Sequence, residues 1–138
     1  YYRVFLKWKS NLQTYIYRDE KMEQNRKKRL EAAGMDVDGV LERLMGNEKL
    51  LERFLEKFLE NPYYRNLTTA IEANNIQAAL DASHALKGIC GNLSMRALFD
   101  LLTMQVAAFR AENNQKAIDM MPEITEIYEK MIQAIRGE

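Results

Sequence analysis

Apolar residues recur at intervals of three and four along almost the whole of this 138-residue chain, most densely at Leu50, Leu51, Phe54, Leu55, Phe58 and Leu59. In an α-helix, which turns by about 100° per residue, that interval gathers them on one side. A helix carrying such a stripe must bury it against another element. Only two prolines and six glycines interrupt the pattern, and no segment alternates with the two-residue period of a strand. The expected fold is therefore all-α: an up-and-down antiparallel bundle of four substantial helices joined by short turns, preceded by a helical extension.

Turn signals divide the pattern. Gly34 is placed to stop a first helical stretch, and Asp36 or Asp38 can cap a short helix containing Val40, Leu41 and Leu44. Gly46-Asn47 breaks that helix, and Asn47 can cap the next, over 48–60. Asn61-Pro62 opens a helix directing Tyr64, Leu67, Thr68 and Ile71 to the core, and Asn74-Asn75 turns the chain. The next helix runs from Ile76 to Asn92 or Leu93. Ser94 reads as the N-cap of a helix bearing Met95, Leu98, Leu101, Leu102, Gln105 and Phe109. Past Asn113-Asn114, a last helix carries Ala117 through Ile135, with Pro122 inside it as a candidate kink.

Charge separates the chain into two parts although it cancels overall. Residues 1–33 hold nine Lys/Arg against four Asp/Glu, and 34–138 hold eleven against sixteen. Within 1–33, Tyr1, Phe5, Trp8, Leu12 and Tyr15 follow a heptad seam that fades into the charged run Arg26-Lys27-Lys28-Arg29. Residues 1–33 are read as a solvated linker helix, with self-association or packing on the body as the alternative, and 34–138 as the bundle. Four basic residues with no interleaved aromatics are weak evidence for a nucleic-acid partner, and none is expected. One cysteine and one histidine argue against a disulfide framework or a zinc site. Without a long apolar run or a signal sequence, no membrane span is expected and the expected setting is cytoplasmic. The first residue is Tyr1, as in a segment of a longer protein.

The one histidine, His84, lies in Ser83-His84-Ala85-Leu86-Lys87-Gly88-Ile89-Cys90-Gly91-Asn92-Leu93. Positions 84, 87, 88 and 91 fall on one stripe, and Ala79, Ala82, Leu86, Ile89 and Leu93 gather opposite. His84 is thus expected to face solvent. Each interior glycine costs a helix roughly 1 kcal/mol relative to alanine, so Gly88 and Gly91 imply a need for bare backbone beside the imidazole. Near neutral pH imidazole keeps a nucleophilic, uncharged population, and Lys87 places an ammonium one turn on along the same helical face. Asp81 reads as a solvated helix residue, with orientation of the imidazole as its alternative role.

These residues carry a resemblance. Ala82-Ser83-His84-Ala85-Leu86-Lys87-Gly88 followed by Asn92-Leu93 resembles the histidine-containing phosphotransfer domain of two-component phosphorelays, whose hallmark is His-x-Leu-Lys-Gly with an Asn four residues beyond. The similarity covers roughly residues 34–135. It implies a carrier whose His84 accepts a phosphoryl group from a receiver-domain aspartate or a histidine kinase and passes it to another receiver. Mg²⁺ and the acid chemistry would come from the receiver, and no resident cofactor or metal is expected. The resemblance makes Gln105 a candidate hydrogen-bond partner of the imidazole. Family members often place that polar residue one position later, where this chain has Val106, and Ser94 stands where the family usually has glycine. Leu80, Gly88, Gly91 and Met95 are the candidate partner-docking residues, with burial in the bundle as the alternative for Leu80 and Met95.

Two other readings compete: a helical adaptor that keeps the bundle but takes no phosphate, and the phosphoacceptor domain of a larger chemotaxis-type kinase. No nucleotide-binding motif occurs in the chain, so any kinase activity would reside elsewhere. Partner identity, direction of transfer and oligomeric state are not encoded in any motif.

Overall fold

The computed structural model describes residues 24–138, and within them there are helices and turns but no strand. The heptad seam from Tyr1 to Tyr15 lies outside the described residues. Helix α1 covers residues 24–32. It is followed by α2 (Val37–Arg43), α3 (Glu48–Leu59), α4 (Tyr63–Glu72), α5 (Ile76–Asn92), α6 (Arg96–Arg110), α7 (Asn114–Asp119) and α8 (Met121–Arg136). The helix α5 packs most extensively, against α4 on one side and α6 on the other. The core is a continuous apolar cluster, with Leu55, Leu67, Leu86, Leu98, Leu102, Ile124 and Met131 all fully buried.

Short polar side chains start the helices where the sequence places them. The Asp36 carboxylate accepts from the Gly39 amide, Asn47 Oδ1 from Leu50 and Asn75 Oδ1 from Ala78, each at 3.1 Å. Asp36, rather than Asp38, is therefore the cap of α2. Asn61 Oδ1 accepts from the Tyr63 amide at 3.0 Å. Its Nδ2 donates to the Tyr128 hydroxyl, also at 3.0 Å, tying the start of α4 to α8. Tyr64 stacks on Tyr128 with ring centroids 4.0 Å apart and donates to Thr125 Oγ1 at 2.8 Å.

Three expectations change. Ser94 does not cap α6: it has φ of +50°, the N-cap is Met95, and no side chain caps that end. Its hydroxyl accepts instead from Arg43. The left-handed backbone at 94 is the conformation glycine adopts most readily, so serine takes the turn at some conformational cost. Next, the last helical pattern is two helices, α7 and α8, and Pro122 lies in the first turn of α8. An amide there has no intrahelical partner to lose, so proline starts a helix rather than kinking one.

The third concerns the stretch before the boundary at residues 33 and 34, whose described part takes the alternative reading of packing on the body. Leu30 is buried in the core. The Arg26 guanidinium holds Glu52 of α3 through two bonds, at 2.7 and 2.9 Å, and donates to the Ile135 carbonyl of α8 at 2.8 Å. At least residues 26–30 therefore pack on the body. The turn after α1 also pairs with the turn before α6. Met35 and Met95 form an antiparallel bridge, in which the Asp36 amide donates to the Ser94 carbonyl at 2.8 Å and Ala97 to Gly34 at 3.3 Å. Gly34 is required here, because its φ is +100° and an added Cβ would meet Ala97 Cβ at 2.6 Å.

Candidate functional site

Helix α5 separates its two faces as the periodicity demands. Ala79, Ala82, Ser83, Leu86 and Cys90 are buried, while His84 and Gly88 are exposed and Lys87 and Gly91 half-buried. Ile89 is only half-buried, and Ser83 and Cys90 take up inward positions that the sequence pattern did not give them. His84 thus stands on a solvent-facing stripe whose opposite side is anchored in the core. Asp81, also exposed, accepts from Gln77 Nε2 at 2.9 Å one turn earlier on the helix, as a solvated residue would.

Gly88 and Gly91 differ. A Cβ built at Gly88 has nothing within 4 Å, so the helix surface beside His84 is open to an approaching molecule. A Cβ at Gly91 would lie 3.0 Å from Phe99 Cε2 and 3.2 Å from Cδ2. Gly91 therefore admits an aromatic ring from α6. Lys87 Nζ sits 5.7 Å from the centroid of that same ring, within the range of a cation–π contact. Phe99 is the residue beside the stripe that the sequence analysis did not single out. Its one available signal was an aromatic residue adjacent to Leu98 that the core spacing of α6 does not use.

Two further expectations are corrected. Met95 is fully buried and pairs with Met35 through the backbone bridge, so it belongs to the core and not to a docking patch. Gln105 is also fully buried. It accepts from Ser83 Oγ at 2.7 Å and donates through Nε2 to the Ala117 carbonyl at 3.0 Å and to Met121 Sδ at 3.1 Å. Its amide is committed to partners in α5, α7 and α8, none of them His84. A buried amide without those partners would cost about 1–3 kcal/mol, which accounts for a polar pair inside an apolar core. Val106, the next residue, is buried as well. Leu80 is half-buried against the core, with part of its side chain accessible.

Arg43 braces the far end of α5 by donating to the Asn92 carbonyl at 3.0 Å. Asn92 thus contributes to the helix end through its backbone. The described residues contain no group of three or more His, Cys, Asp or Glu side chains arranged to hold a metal ion. None of their helices is long and apolar enough to cross a membrane. What the stripe offers is one exposed nucleophilic ring, one ammonium a turn away, and a bare helix surface between them. Comparison of the chain with protein-family models, curated proteins and solved structures gave no match.

Proposed function

We propose that the chain is a phosphorelay carrier, in which His84 receives a phosphoryl group from a receiver-domain aspartate and delivers it to another receiver. In this reading the helices form an up-and-down four-helix bundle that mounts α5 with its histidine outward. The imidazole nitrogen attacks phosphorus, the bond from phosphorus to the aspartyl oxygen breaks, and the carboxylate leaves; the reverse steps unload the carrier. Lys87 supplies positive charge toward the phosphoryl oxygens, since transfer depends chiefly on positioning and on neutralising those oxygens. Gly88 leaves room for the partner's loops.

The observation that supports this reading best is the combination on one face of α5: exposed His84, Lys87 one turn on, and Gly88 with open space above it. Incubation with a phosphorylated receiver should give acid-labile, alkali-stable label on the chain. His84→Gln should abolish it, and Lys87→Ala should slow labelling without lowering the thermal midpoint. Label that survives His84→Gln would rule the assignment out.

A further inference from the structure

We propose that Phe99 of α6 is a positioning residue for Lys87, and through Lys87 for a phosphoryl group on His84; this rests on the phosphotransfer reading of His84. A lysine on an open helix face has many rotamers, and its ammonium stabilises a transferring group only when it is held near the right place. The Phe99 ring supplies such a seat. It lies half-buried against the core, and its face attracts the ammonium 5.7 Å from its centroid. An aromatic face also offers apolar surface to the butyl stem of a lysine.

Gly91 makes this seat possible. The ring occupies space that a Cβ at 91 would enter, at 3.0 Å from Cε2. Position 91 lies one turn beyond Lys87 on the same face of α5. The ring is thus brought beside the stripe by a notch in the helix that carries it. Lys87, Gly91 and Phe99 form one assembly contributed by two helices, and only Lys87 would touch the phosphoryl group.

Phosphoramidate offers a test without any receiver: the imidazole nitrogen attacks phosphorus, the P–N bond of the reagent breaks, and ammonia leaves. Labelling of His84 in the full chain should be about twofold to fivefold slower in Phe99→Leu, the change a cation–π contact of ordinary strength confers, and near normal in Phe99→Tyr. In a Lys87→Ala background, Phe99→Leu should cause no further slowing. Nuclear Overhauser contacts between the Lys87 ε-methylene and the Phe99 ring should be present in the unaltered protein, a reading that does not depend on any variant folding. Slowing that persists in the Lys87→Ala background, or absence of those contacts, would overturn the proposal. A chain labelled by phosphoramidate but by no phosphorylated receiver would instead count against the relay reading, and would leave the Phe99 seat standing.

Discussion

A methyl group added at Gly88 points into open space, whereas the same group at Gly91 meets the Phe99 ring at 3.0 Å. The two positions are indistinguishable by sequence, since both are glycines on the stripe of His84. Helix propensity alone would reward alanine at either by about 1 kcal/mol. Gly88→Ala should realise that gain in urea unfolding, and Gly91→Ala should realise less, because Phe99 must give way. A bulky residue at 88, such as leucine, should leave the fold stable yet slow transfer from a receiver; unchanged transfer would remove the clearance role. His84 itself was legible because exposure follows directly from helical period. The environment of Gln105 was not, because its partners Ala117 and Met121 lie in other helices, and no local pattern reports what crosses from a neighbour.

At the scale of elements, the helices end in a shared way. After α1, α2, α4, α5, α6 and α8 comes a residue with positive φ: Gly34, Met45, Asn74, Ser94, Glu112 and Gly137. In each case the following amide reaches back over the last turn, as Gly46 does to Leu41 at 2.7 Å and Asn75 to Ala70 at 2.8 Å. This is the Schellman closure, which glycine fits best. Sequence signals found the turns at Gly34, Gly46-Asn47 and Asn74-Asn75 because Gly and Asn advertise them. The same closure built on serine after α5 was read as an N-cap, since serine is common in that role too. Met45 is the clearest mismatch, with φ of +55° and a side chain 96% exposed. Met45→Gly relieves the backbone and gives up almost no packing. It should raise stability by about 1 kcal/mol, measured as a higher urea midpoint with an unchanged slope.

Across the whole molecule, burial sets how the fold responds to alkali. Burial pushes the Cys90 thiol up from 9.0 to about 12. Burial also raises Tyr128 above its ordinary value, against a smaller lowering from its bond with Asn61. From pH 9 upward the unfolded chain therefore releases a thiol proton that the native chain keeps. The native state then binds more protons, and stability falls as pH rises, by up to about 1.4 kcal/mol per pH unit from this group. Tyr128 adds to the decline above pH 10. Urea unfolding between pH 8 and 11 should show this loss, and Cys90→Ala should flatten it whatever its effect at neutral pH. An equally steep decline in that variant would mean the thiol is not the source. The all-helical class was readable at this scale from apolar spacing alone. The extent of the packed unit was not, because the charged run that looks like solvated linker contains Arg26, whose partners Glu52 and Ile135 are remote in sequence.

That Arg26 clamp has a mechanical consequence. By gripping α3 through Glu52 and α8 through the Ile135 carbonyl, it turns α1 into a strut tied to two helices that pack on each other. A torque applied to the chain at residue 26 passes into the body instead of being dissipated in a swivel.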